Sequence, residues 1–272
     1  MSLGLHARYG GWAVVTGASS GLGTHFAEQL AAEGFALVLT ARRKDRLDEL
    51  AARLGNEHGV KTLVVPLDLS VPGATAQLVE AIGEREIGMV IANAGFGFSG
   101  RFEDVDLATY ERMIQLNCTA PTALCHAFVP ALRARGRGGI VIVSSIAGHQ
   151  PTPFFAVYGA TKAFDLMLAE ALWDELHGTG VDVVGLCPGG TRTEFANQAH
   201  MREESAGAEP GPVVAAALRR LGRGPSVLPG FAMKIAGSMH RFLPRSWVAA
   251  STGGTLARSL LGKSKADARR GR

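Results

Sequence analysis

An apolar run, Trp12 to Thr16, leads straight into Thr16-Gly17-Ala18-Ser19-Ser20-Gly21-Leu22-Gly23. Apolar residues then recur at helical spacing as Phe26, Ala27, Leu30 and Ala31. Strand, glycine-rich turn and helix in that order admit few architectures. The order aims backbone N–H groups at a helix N-terminus, where they favour an anion. Gly17 permits the tight turn. Gly21 and Gly23 let the backbone approach a pyrophosphate and pack on the strand. The spacing is T-G-x-x-x-G-x-G, unlike the G-x-G-x-x-G of many dinucleotide enzymes. Glycines used only for turning are the plainer alternative, and the flanking strand and helix argue against it.

Further apolar strands are expected near 36–40, 62–66, 88–92, 139–144 and 181–186, with helical patterns between them. Such alternation gives a parallel sheet covered on both faces, and right-handed crossovers make it doubly wound. The fold class is therefore α/β, a Rossmann-like doubly wound parallel sheet in one domain. A chain of 272 residues is long enough for that core. Residues 1–262 are expected to form the domain, with 226–262 as a substrate cap or subunit contact. Phe231, Met233, Ile235, Met239, Phe242, Leu243, Trp247 and Val248 are apolar there, interrupted by Lys234, Arg241 and Arg245. No run reaches the ~18–20 apolar residues of a membrane span. An interfacial helix is the alternative, and membrane contact is not expected.

The net charge of +4 belongs to the end of the chain. Lys263, Lys265, Arg269, Arg270 and Arg272 against Asp267 give +4 by themselves, so the rest sums to zero. Residues 263–272 read as a disordered basic tail, with no case for nucleic-acid recognition. Cys118, Cys125 and Cys187 lack zinc spacing, no metal is expected, and the sparse set suits a reducing cytoplasm. No signal peptide is apparent.

The second strand ends at Ala41-Arg42-Arg43. A binder of the unphosphorylated cofactor would want an acid here for the ribose hydroxyls. Guanidinium groups instead match a phosphate and stack on a flat base. NADP(H) is expected over NAD(H), with Arg42 favoured over Arg43 as its anchor. Solvated residues at a helix start, Arg43–Leu54, are the alternative.

Tyr158 and Lys162 stand four residues apart, and Ser145 precedes Tyr158 by thirteen. On a helix that spacing puts phenol and ammonium on one face. The ammonium is expected to pull the tyrosine pKa down toward working pH, so that Tyr158 can exchange a proton with a substrate oxygen. Alternation turns Ser144 away from the cleft.

With these residues in hand, the chain resembles the short-chain dehydrogenase/reductase family over about residues 11–195. TGASSGLG, including Ser19, Ser20 and Leu22, looks like the family's cofactor turn. Asp68-Leu69 is similar to the acid that meets the adenine amino group, and Asn93-Ala94-Gly95 to the family's N-A-G. Asn117 matches its helix asparagine, Ser145 its catalytic serine, and Tyr158 with Lys162 its tyrosine–lysine pair. Pro188-Gly189 and Thr191 to Thr193 resemble the P-G-x-x-x-T that holds the nicotinamide carboxamide. The resemblance implies hydride transfer between the cofactor and a carbonyl carbon. In it Tyr158 moves the proton, Ser145 holds the oxygen, Lys162 binds the ribose and Asn117 positions a water. It also implies a homodimer or homotetramer. TRTEF and the apolar loops resemble 3-ketoacyl and hydroxysteroid reductases.

Phe96, Phe98, Phe154 and Phe155, with Pro151 and Pro153, are expected to line the substrate pocket beside Ser145. Residues from Glu194 to about Gly207 would form a lid, and Arg101 is the nearest cation in sequence. His149 is expected at the pocket edge without a proton role. The expected function is interconversion of a hydrophobic ketone and a secondary alcohol with NADP(H). The alternatives are a catalytically silent NADP(H)-binding regulator and a nucleotide-sugar epimerase or dehydratase, which shares Y-x-x-x-K. The latter's G-x-x-G-x-x-G turn and large sugar domain have no counterpart here.

Overall fold

The computed structural model describes residues 2–195, 199, 207–230 and 243–261. Seven parallel strands form one sheet in the order β3-β2-β1-β4-β5-β6-β7. They are β1 Trp12–Thr16, β2 Ala36–Ala41, β3 Thr62–Pro66, β4 Ile87–Ala92, β5 Gly138–Val143, β6 Val181–Leu186 and β7 Ser226–Val227. Among the described residues the α-helices are α1 Leu5–Tyr9, α2 Gly21–Ala32, α3 Lys44–His58, α4 Ala74–Ile82, α5 Leu107–Ile114, α6 Ala120–Arg135, α7 Ala156–Glu175, α8 Pro210–Arg220 and α9 Arg245–Leu261. The chain reverses its direction of travel across the sheet between β1 and β4. At such a point the carboxyl ends of the strands open a crevice.

Period-two alternation in the strands sorts the core into two layers. Ala13, Val15, Leu37, Leu39, Met89, Ile91, Val141, Val143, Val184 and Leu186 pack on α2, α3 and α8. Their neighbours Val14, Val38, Val90, Ile140, Ile142 and Val183 pack on α4, α6 and α7. Every residue of β4 and β5 is buried, as central parallel strands covered on both faces require.

Three elements were not anticipated. Helix α1 is anchored by buried Leu5 and Tyr9, whose hydroxyl donates to Asp182 at 2.8 Å. A π-turn, Gln115–Thr119, separates α5 from α6. Strand β7 takes two residues from the segment expected as a cap; two residues carry no periodicity to read. Within that segment 231–242 lie outside the described residues, and α9 follows. Most of the expected lid, 196–198 and 200–206, and the tail 263–272 also lie outside them.

Candidate active site

The carboxyl edge of the sheet opens into a cleft of about 740 Å³. At one end the loop after β1 turns into α2. Gly17 has φ +67°, and a Cβ there would come within 2.9 Å of Asn93 Nδ2. A Cβ on Gly23 would run into the Gly17 carbonyl, so α2 can start this close to β1 only with glycine. The side chain of Thr16 ties this turn to the loop after β4. It donates to the Ile91 carbonyl and accepts from Asn93 N and Ala94 N, both at 2.9 Å.

Ser19, Ser20, Gly21, Leu22, Arg42, Arg43, Asp68, Leu69, Asn93, Ala94, Gly95, Pro188, Gly189, Thr191 and Thr193 all line the cleft. Gly23 lies beneath the turn. Arg43 is half-buried and donates to Ser19 Oγ at 3.2 Å and to Glu194 Oε2 at 2.9 Å. Arg46 holds the other oxygen of Glu194 at 2.5 Å. These bonds, from Arg46 first and then Arg43, hold the Glu194 carboxyl below the ordinary carboxylate range. Arg42 is exposed on the same wall. Arg46 was not singled out from the sequence, and Glu194 was named only as the start of the expected lid.

At the other end β5 delivers Ser145 and α7 delivers Tyr158 and Lys162, all lining the cleft. Ser145 caps a 3-10 turn, Ile146–His149, its Oγ accepting from Ala147 N at 3.1 Å. Ser144, expected to turn away, also borders the cleft, but its hydroxyl is engaged, donating to the Lys162 carbonyl at 2.6 Å. Tyr158 is buried against Phe155, with ring centres 4.2 Å apart, and Phe195, at 5.3 Å. Lys162 Nζ donates to the Val143 carbonyl at 2.8 Å and to Asp165 Oδ2 at 2.9 Å.

The expected downward pull on Tyr158 is corrected by this environment. Burial pushes the phenol up; Lys162 and a hydrogen bond with Ser145 pull it down; Asp165 pushes it up again. The balance stands above the ordinary tyrosine value. Burial would push Lys162 down, yet Asp165 and then Tyr158 hold its pKa above the usual lysine value.

Asn117 is buried behind the cleft wall, in the π-turn. Its Oδ1 accepts from Phe96 N at 3.1 Å, and its Nδ2 donates to Phe96 O and to Thr161 Oγ1, each at 2.9 Å. It thereby fixes the loop that carries Phe96 and Phe98. Those two line the cleft with Phe155, Phe195 and Leu256 of α9. Phe154 does not. Its backbone sits at φ +66°, and its carbonyl accepts from Gly100 N at 2.8 Å. Arg101 also lies off the wall, whereas Arg112 of α5 lines it. His149 is half-buried off the wall too, on the 3-10 turn.

The profile of the family described as short chain dehydrogenase matches residues 11–204. The chain belongs to that family. Among its short-chain dehydrogenase relatives, a 7beta-hydroxysteroid dehydrogenase of Clostridium sardiniense is 35% identical over 186 residues, 68% of this chain and 71% of the relative. A solved structure described for 7beta-hydroxysteroid dehydrogenase stereoselectivity superposes with a TM-score of 0.86 at 30% identity, covering 92% of this chain and 99% of its own. A short-chain dehydrogenase from Sphingobium yanoikuyae in complex with NADPH has a TM-score of 0.77 at 37% identity, covering 85% and 93%.

Proposed function

We propose that this short-chain dehydrogenase is an NADP(H)-dependent reductase of hydrophobic ketones, running in reverse on the secondary alcohols. The observation that carries the reading is the convergence of Ser145, Tyr158 and Lys162 at one end of a cleft whose other end is lined by Arg42 and Arg43, with Arg46 just outside it on Glu194. The residues fit a phosphorylated dinucleotide. Gly21, at φ +58°, leaves a cradle where a Cβ would lie 3.1 Å from Thr193. The arginines supply the donors that a 2′-phosphate needs. When bound, the dinucleotide supplies the hydride.

The chain's own groups do the rest. Gly17 to Leu22, Asn93 to Gly95, and Pro188 to Thr193 would hold the dinucleotide along the sheet edge, with Asp68 at its base. Tyr158 holds a proton on its hydroxyl at neutral pH, because burial keeps the phenol neutral, and gives it to the carbonyl oxygen. Ser145 donates a hydrogen bond to the same oxygen. Lys162 keeps positive charge near that proton. Phe96, Phe98, Phe155, Phe195 and Leu256 bury apolar substrate at roughly 25 cal/mol per Å². A steroid-like or long-chain ketone fits such a wall better than a sugar or a small keto acid. The hydroxysteroid and NADPH-bound relatives support the same reading. The three free thiols suit a reducing cytoplasm. A homodimer or homotetramer is the expected assembly.

Ketones of rising chain length and fused-ring ketones, each with NADPH and with NADH, test this by loss of reduced-nicotinamide absorbance. kcat/KM should rise with apolar size and favour NADPH. Tyr158→Phe should lower kcat by about 10²–10⁴-fold, the usual scale of a lost general acid, while NADPH still binds. A flat or falling trend with size defeats the substrate class. Tight NADPH binding with no turnover on any ketone or alcohol would instead indicate a silent regulator.

A further inference from the structure

Lys162 has a charged neighbour that sequence reading passed over. Asp165 is three residues further along α7 and 2% exposed, with Oδ2 2.9 Å from Lys162 Nζ. Tyr158, Lys162 and Asp165 stand at i, i+4 and i+7, one stripe of the helix. Asp165 Oδ1 is buried and has no hydrogen-bond partner among the described residues. The other bond of the ammonium runs to the last residue of β5, Val143. A Cβ at Gly95 would lie 3.3 Å from Nζ, so glycine leaves the ammonium its space.

A buried ion pair is a weak stabiliser. Desolvating two charges offsets their attraction, and an apolar side chain of similar volume often serves the fold as well. What the carboxylate adds is a fixed place and a countercharge for the ammonium.

We propose that Asp165 is a positioning residue for the reaction: it holds the Lys162 ammonium against β5 beneath Tyr158 and offsets its charge. Its part in turnover rests on the reductase reading above, whereas the charge coupling can be read without turnover. The Lys162 charge favours the Tyr158 phenolate and the Asp165 charge opposes it. The other titratable groups coupled to this pair are thiols; Asp182 of β6 is engaged by Tyr9 and Arg8, and Glu170, Asp174 and Glu175 lie further along α7. Burial pushes Cys118 of the π-turn up to about 11, and Cys125 of α6 and Cys187 after β6 to about 12, so all three are neutral at pH 7. Helix α5 and the 3-10 turn, also packed on α7, carry Tyr110, Glu111, Arg112 and His149.

The chain has three tyrosines, Tyr9, Tyr110 and Tyr158. Carbon-13 labelling at Cζ therefore gives three resonances, and Tyr158→Phe assigns the one of interest. In Asp165→Asn the Tyr158 midpoint should fall by on the order of one pH unit, because the opposing charge is gone. In Asp165→Glu it should stay close to the wild-type value. The pH dependence of kcat/KM for alcohol oxidation, which needs the phenolate, should move down with it. A Tyr158 midpoint that stays put or rises in Asp165→Asn overturns the proposal. Should that variant not fold, the wild-type chain decides. Its Tyr158 resonance must inflect again at acid pH as Asp165 takes up a proton, and a flat acid limb overturns the proposal too. A full midpoint shift in a protein that reduces no ketone would sink the reductase reading and leave the coupling standing.

Discussion

Arg43 reaches Ser19 and Glu194 at once, across 24 and 151 residues of chain. Its guanidinium is oriented on the glycine turn by groups that a 2′-phosphate would join or replace. Arg43→Ala should weaken NADPH binding by about 10–100-fold and NADH binding far less, the scale of one charge-assisted hydrogen bond. Glu194 competes for the same donors. Its pairs are roughly two-fifths exposed, which limits them to the small values of surface ion pairs. Glu194→Gln should therefore tighten NADPH by no more than about fivefold. Fluorescence titration of both variants with both cofactors checks this, and equal losses for NADPH and NADH in Arg43→Ala would contradict it. At this scale the place of Arg42 and Arg43 on the cleft wall was legible, because it follows from chain order after β2. Arg46 and Glu194 were not, since only folding brings residue 194 over the start of α3.

Helix α7 carries the site on one side and apolar surface on the other. Tyr158, Lys162 and Asp165 are buried, while Phe164 and Met167 are 43% and 59% exposed. Leu107 and Ile114 of α5, which packs on α7, are also exposed. Large apolar side chains exposed on two adjacent helices are the kind of surface that a second copy would cover. Of the small and apolar positions along α6 and α7, Ala120, Leu166 and Ala169 face the sheet. Ala123 and Ala163 are half-buried, and only Ala127 is exposed. Light scattering should give a dimer or tetramer at micromolar concentration. Phe164→Asp with Met167→Asp should shift it toward monomer without loss of helix content, and a wild-type monomer would refute the assembly. The helices themselves were readable from period and glycine turns. The π-turn was not, because Gln115–Thr119 continues the helical pattern and the wider turn exists only in the backbone hydrogen bonding of the folded chain.

Across the whole molecule, buried phenols tie stability to alkaline pH. Burial first, and then Asp182, push the Tyr9 phenol well above the ordinary value. Tyr158 is raised chiefly by burial, and Lys162 by Asp165 and Tyr158 against its burial. A group whose pKa is raised by folding contributes fully below its unfolded value and loses that contribution as pH rises toward its folded value. All three groups carry this sign, so stability should hold to about pH 10 and fall beyond it. Urea unfolding midpoints between pH 8 and 11 measure this. Tyr9→Phe should flatten the alkaline slope while costing about 1 kcal/mol at pH 8 for the lost bond to Asp182. An equal slope in both proteins would assign the pH dependence elsewhere.

By itself the sequence determined the doubly wound sheet, the nucleotide turn and the Ser145, Tyr158 and Lys162 set. Each of these is written in local periods, glycine placement or one helical repeat, which chain order alone converts into geometry. Tertiary structure alone decided what surrounds them. It removed Phe154 from the pocket wall and added Phe195 and Leu256, and it exchanged Arg101 for Arg112. It set Glu194 between two arginines and raised the Tyr158 phenol that its lysine was expected to lower. Burial and through-space charge produce these effects, and neither depends on distance along the chain.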